Sequence, residues 1–201
     1  VSEHAGRKKV IEAAQRLGIT ARLKSHPSLA LGASEVTLIE LTAAYAVIAN
    51  QGIAAWPYGI IEIKSAKGAV LYRRAGSGGG RVVQRPHVAA LDRMLRKTVA
   101  QGTGRRARIG RMAAGKTGTS QDWRDAWFIG YGGDLVAGVW VGNDNGRAMN
   151  KVTGGGLPAG IWRAFMIGVK PAKIPRRPRP HKGGIEALIE REGWVGQKSY
   201  D

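Results

Sequence analysis

Lys116, Thr117, Gly118, Thr119 and Ser120 put a cation, hydroxyls and an open stretch of main chain into five consecutive residues. A lysine ammonium is a compact point charge, and a threonine hydroxyl can donate and accept. A glycine between them lets backbone come close to a ligand. Such groups together suit one bound carboxylate, and beside a nucleophile the chemistry they imply is acyl transfer. In an extended chain Thr117 and Thr119 fall on one face, which brings two hydroxyls to the same ligand. Ser120 either extends that hydrogen-bonding face or begins the next turn.

The surroundings must position these residues. Ala113-Ala114-Gly115 leads in, Asp125 to Tyr131 follows, and the apolar run Leu135 to Val141 comes next. The pattern predicts strands over 111–119, 125–131 and 135–142 joined by short turns. The last is apolar on both faces and is expected at the centre of the sheet. Trp127 reads as a partly buried strand residue, Trp123 as a weaker aromatic candidate, and Asp125 as a turn or network residue.

Helices frame this sheet. Val10, Ala13, Ala14 and Leu17 recur at helical spacing over residues 7–17, with Gly18 able to end the helix. Thr37 to Glu40 has the form of a capping box, followed by Leu38, Leu41, Tyr45 and Ile48 on one face and Gly52 as a stop. Ile60 to Lys64 and Val70 to Arg73 flank Ala66-Lys67-Gly68 as a hairpin, and Gly76 to Gly80 is read as a flexible connection. Pro86 suits a first helical turn, and Val88, Leu91, Leu95 and Val99 form its apolar stripe up to Gly102. Gly102 to Gly110, rich in arginine, is expected as an exposed loop, and Pro158 to Val169 as a helix packed back on the sheet. After Val169 the composition turns basic and proline-rich, so residues 170–201 read as a linker or tail, with a possible short helix over 184–193.

A chain of 201 residues with 43% apolar content can bury one real core. The absence of cysteine excludes disulfides and thiol catalysis. His4, His26, His87 and His181 lack metal-ligand spacing, so neither a metal nor another cofactor is expected. The longest apolar stretch, around 135–142, is far short of the roughly 20 residues of a spanning helix. A formal net charge of +18 invites nucleic-acid binding. Yet the basic residues are spread along the chain without a helix-turn-helix or an aromatic-interleaved module. No specific nucleic acid is expected, and anionic wall polymer or lipid head groups are an equal use for the charge.

Several blocks resemble one family in order: Ala13 to Ile19, Leu31 to Thr37, Ala43-Ala44-Tyr45 through Asn50-Gln51-Gly52, and Gly102-Thr103-Gly104. The Lys116 strand, Val139 to Asp144, and Gly154 to Ala159 with Ile161-Trp162 complete the series. From Gly6 to about Met166 the chain resembles the second half of the transpeptidase domain of class A penicillin-binding proteins. That superfamily carries Ser-x-x-Lys, a Ser-x-Asn-type triplet and Lys-Thr-Gly. The resemblance implies an α+β fold, part of a penicillin-binding and serine beta-lactamase-like domain, with an antiparallel sheet packed by helices over residues 1–169. It implies that Lys116 and Thr119 are catalytic, with the Thr119 N–H as half of an oxyanion hole, and that Thr117, Gly118, Thr119 and Ser120 bind substrate.

By the same resemblance the partners are peptidoglycan stem peptides and beta-lactam antibiotics. The parent is a membrane-anchored protein with a glycosyltransferase domain, placed on the extracytoplasmic, periplasmic face of the inner membrane. No serine here has lysine three positions on, and no Ser-x-Asn occurs. The expectation is that the nucleophile lies upstream and that these residues alone are inert and poorly stable. Alternatives are a catalytically dead remnant or interaction domain, a serine beta-lactamase, and a basic nucleic-acid-binding protein.

Overall fold

The computed structural model describes residues 2–74 and 79–169. The expected glycine-rich connection overlaps residues 75–78, and the basic tail with its short helix spans 170–201; both lie outside the described residues. Residues 2–56 and 79–169 form one compact unit, and residues 57–74 belong to a second.

In the first unit a four-residue helix, α1 (Ser2–Ala5), precedes α2 (Arg7–Arg16). The end of α2 follows from Gly18, whose φ of 97° places it in the left-handed region that glycine favours. Its N–H donates to Gln15 O and that of Ile19 to Ala14 O, which closes the helix by two crossed bonds. The helix α3 (Leu38–Ala49) begins on the expected reciprocal cap: Thr37 Oγ1 accepts from Glu40 N, and the Glu40 carboxylate accepts from Thr37 N. At its other end the left-handed position after the cap is taken by Gln51, φ 57°, together with Gly52, φ 82°, so the stop is shared and not glycine's alone. The buried face of α3 is Ala43, Ala44, Val47 and Ile48. Leu41 and Tyr45 are only partly buried and Leu38 lies at the rim, because α3 is apolar nearly all round and packs against both the sheet and a neighbouring helix.

That neighbour is α4 (Arg85–Ala100), in whose expected stripe Val88, Leu95 and Val99 are buried and Leu91 is half-buried. The sheet consists of β1 (Ala114–Thr119), β2 (Asp125–Gly132) and β3 (Leu135–Gly142), all antiparallel, in the order β1-β2-β3. The helix α5 (Leu157–Gly168) covers one face, where Phe128 meets Trp162 edge-on at 5.2 Å between ring centroids. Trp162 is wholly buried, and its Nε1–H is satisfied by Ala137 O at 3.1 Å and Gly130 O at 3.3 Å. The other face packs Tyr131 and Ala114 against Ile48, Val88 and Leu95. The second unit holds the expected hairpin, β4 (Glu62–Lys64) and β5 (Val70–Arg73), with Gly68 at φ 82° in its turn. In that hairpin Glu62 takes ion pairs from Lys64 and Arg73.

The fold is α+β with an antiparallel sheet packed by helices. Two expectations are corrected. The central strand is β2, while β3 is an edge strand among the described residues. Its apolar character on both sides has another cause: α3 and α5 both pack against it, and double-sided burial requires two covered faces, not a central position. The strand carrying Lys116 also begins at Ala114, not at residue 111, and the preceding loop holds a 3-10 turn, Arg105–Ala107, pinned by the buried Ala107. Among the described residues no helix is long and apolar enough to cross a membrane.

With many more bases than acids, guanidinium groups turn to carbonyls. Arg81 donates to Gln51 O, Arg108 to Val99 O, Arg111 to Met166 O, Arg124 to Gly146 O and Arg163 to Arg108 O. Arginine here closes loops and helix ends, which is a structural use for part of the charge.

Glu40 is the main electrostatic clasp of α3. Besides the cap it accepts from Thr20 N and Thr20 Oγ1, both at 2.7 Å, and from Ala21 N at 3.0 Å. Hydrogen bonds from the Thr20 side chain first, then from Thr37, pull its pKa from 4.5 down to about 2. A carboxyl lowered on folding stabilises above its unfolded pKa and loses that contribution as pH falls through the folded value. Stability is therefore expected to decline from about pH 5 toward about pH 2, while Glu40→Gln removes that slope and lowers stability at neutral pH. Denaturant midpoints measured against pH for both proteins check this.

Candidate active site

The register sets the layout of the Lys116 strand. Thr117 lies opposite Phe128 and Thr119 opposite Ala126, on the α5 side of the sheet, whereas Lys116 and Gly118 lie opposite Ile129 and Trp127 on the other. By strand alternation the ammonium and the two hydroxyls therefore leave the backbone on opposite faces. The open edge reunites them.

Among the described residues β1 pairs only with β2. Ser120 N–H points to β2, since it donates to Asp125 O at 2.9 Å. Antiparallel pairing alternates direction residue by residue, so the N–H and C=O groups of Thr119 and Thr117 point away from β2, to the free edge. Lys116 Nζ donates to Thr117 O at 2.8 Å, which brings the ammonium over that edge. Lys116 and Thr119 are exposed, and Thr117 and Gly118 are half-buried. An ammonium, two hydroxyls and the Thr119 N–H thus border one open strand edge.

Both hydroxyls have partners within the fold. Thr117 Oγ1 lies 2.7 Å from Thr103 Oγ1. Thr119 Oγ1 accepts from Gly154 N at 3.0 Å. No sequence pattern marks either contact, although Gly102-Thr103-Gly104 and the Gly154-Gly155-Gly156 run are among the blocks that carry the family resemblance. The glycines have a steric reason. A Cβ on Gly154 would overlap the carbonyl oxygens of Gly118 and Trp127, and one on Gly155 would overlap Thr103 O. Only bare backbone can lie this close to the strand.

Ser120 sits at the end of the edge. Its Oγ accepts from Asp125 N at 2.8 Å, so its oxygen helps close the turn into β2. Asp125 Oδ1 in turn accepts from Trp140 Nε1 at 2.9 Å, the network role expected of it. Trp127 is half-buried and meets Trp140 at 6.3 Å between ring centroids, while Trp123 lies exposed in a 3-10 turn. Two cavities of this unit, one lined by Arg96, Arg108 and Arg111 and the other by Arg106 and Arg163, do not include residues 116–120.

Residues 8–151 match the family model described as the penicillin binding protein transpeptidase domain. The chain belongs to the penicillin-binding protein transpeptidase family. Penicillin-binding protein 1A of Aquifex aeolicus is 39% identical over 166 residues, covering 82% of this chain and 23% of that protein. Penicillin-binding protein 2D of Bacillus subtilis is 31% identical, covering 93% of this chain and 28% of its own length. Among solved structures, PonA1 of Mycobacterium tuberculosis in complex with penicillin V superimposes with a TM-score of 0.73 at 26% identity, over 89% of this chain and 54% of that one. Penicillin-binding protein 1A of Haemophilus influenzae gives 0.72 at 25% identity, over 88% of this chain and 33% of that one.

This stretch of transpeptidase domain spans about a quarter of the length of the curated relatives it matches. Replacing Gly154 by alanine in this chain is expected to cost about 1–3 kcal/mol, since the new methyl must displace strand backbone. Gly59→Ala, where an added Cβ meets nothing within 4 Å, serves as the neutral comparison. Urea unfolding of the two variants checks the difference.

Proposed function

We propose that the whole protein is a peptidoglycan D,D-transpeptidase working through a serine acyl-enzyme, and that this chain supplies one wall of the site. The observation that carries the proposal is the meeting of Lys116 Nζ, the Thr117 and Thr119 hydroxyls and the outward Thr119 N–H at one free strand edge. A serine outside this chain attacks the penultimate D-Ala carbonyl of a stem peptide. The C–N bond breaks, and D-Ala leaves with a proton on its nitrogen. An amine of a neighbouring stem then attacks the ester carbon, forms the cross-linking amide and returns the serine.

In this reading the hydroxyls of Thr117 and Thr119 hold the terminal carboxylate, with Gly118 permitting its approach and Ser120 closing the end of the face. The Lys116 ammonium attracts the carboxylate and supports proton movement at the serine. The N–H of Thr119 stabilises the developing oxyanion, where one donor is worth about a hundred- to a thousandfold in rate. Beta-lactams occupy the site as acylating mimics of the stem terminus. The parent works on the outer face of the inner membrane, anchored there and joined to a glycosyltransferase domain. This chain alone, lacking a serine nucleophile, forms no acyl-enzyme.

Labelling with a fluorescent penicillin tests the proposal. The whole protein is expected to label covalently, Lys116→Ala to slow labelling by at least about a hundredfold, and the isolated chain to remain unlabelled. Covalent labelling of the isolated chain overturns its assignment as one wall of a divided site. Rapid hydrolysis of the penicillin by the whole protein assigns it to beta-lactamase chemistry instead.

A further inference from the structure

We infer that Thr103 is a positioning residue that makes the hydroxyl face of the Lys116 strand selective for a carboxylate over a carboxamide; this rests on the function proposed above. Two hydroxyl oxygens 2.7 Å apart share one proton between them, and either can be the donor. A carboxylate accepts and never donates. When one occupies the edge, Thr117 must give its proton to it, and Thr103 must then donate to Thr117. The chain of bonds runs Thr103 O–H to Thr117 O–H to carboxylate, each link polarising the next.

Thr119 is arranged to the same effect by a different donor. Its oxygen already accepts from Gly154 N–H at 3.0 Å, leaving its own proton for a ligand. Both strand hydroxyls are thus backed by a donor from the fold, one from a side chain and one from main chain. A face that presents two protons matches the two oxygens of a carboxylate. A terminal carboxamide carries no negative charge, so it draws less from these two donors, and its N–H₂ group is accommodated only when Thr117 turns its proton back to Thr103 and gives up the relay.

Thr103 is held firmly enough for this role. Gly102 N donates to Lys97 O and Gly104 N to Thr98 O, each at 3.0 Å, so both neighbours of Thr103 are tied to the last turn of α4. Ala107 N closes the following turn onto Gly104 O at 2.9 Å. The close approach of Gly155 to Thr103 O locks the loop from the other side. Because Thr103 is itself exposed, its hydroxyl is not required to satisfy a buried group.

The experiment compares acylation of the whole enzyme by a donor stem peptide ending in a free carboxylate and by the same peptide amidated at its C-terminus. Thr103→Val keeps the shape and removes the hydroxyl; Thr103→Ser keeps the hydroxyl. In Thr103→Val the carboxylate-to-carboxamide ratio of kcat/KM is expected to fall about tenfold through the carboxylate peptide, and Thr103→Ser to restore it. Melting temperatures of both variants should stay near that of the parent. An unchanged ratio in Thr103→Val, with Thr117→Ala still abolishing the preference, overturns the role of Thr103 and leaves the proposed function standing. If Thr117→Ala and Lys116→Ala also acylate normally, the site assignment itself fails.

Discussion

The structure depends on one strand being held on a face and, among the described residues, left unpaired at an edge. Were β1 paired on both sides, the main-chain groups of Thr117 and Thr119 would be spent on a neighbouring strand. Were it unsupported, an edge strand of six residues would not keep its side chains in register. Here β2 holds one edge, Phe128 and Trp162 back one face, and the two glycine-bearing loops reach the hydroxyls. Among the described residues the other edge stays unpaired.

The core explains how that strand is kept rigid. Trp162 and Phe128 are wholly buried at the centre of one cluster, with Val99, Ala159 and Met166 around them. The second cluster joins Tyr131 and Ala114 to α3 and α4. Tyr131 lies in β2 next to the Lys116 strand, and its hydroxyl donates to Asp92 at 2.8 Å, tying the sheet to α4. Burial, then the bond to Asp92, push the phenol's pKa upward, so the neutral, donating form persists. Both faces of the sheet are fixed by side chains that differ in character, one apolar and one with a polar clasp.

The net charge of +18 also reads differently in three dimensions. Among the described residues the ion pairs are local, such as Arg7 with Glu3 and Arg96 with Asp92. Several other arginines, from Arg81 to Arg163, spend donors on carbonyls of loops and helix ends, as a planar guanidinium does well. Nucleic-acid binding is not needed to account for those residues. The family match gives the charge its setting in a transpeptidase domain.

Much was legible in the residues themselves, because some signals are local. Thr37 and Glu40 announce a helix start since both partners of the cap lie within one turn. The stripe of α4 follows from helical period alone, and Lys116 to Ser120 stands out by residue type. The family was readable from ordered blocks spread along the chain. What tertiary structure alone decided is which edge stays open, which strand is central and which distant groups back the hydroxyls. Thr103 and Thr117 are separated by 14 positions, and Gly154 and Thr119 by 35. Period and capping describe an element by itself, whereas these contacts arise only when separate elements pack, so no spacing rule within the strand could disclose them.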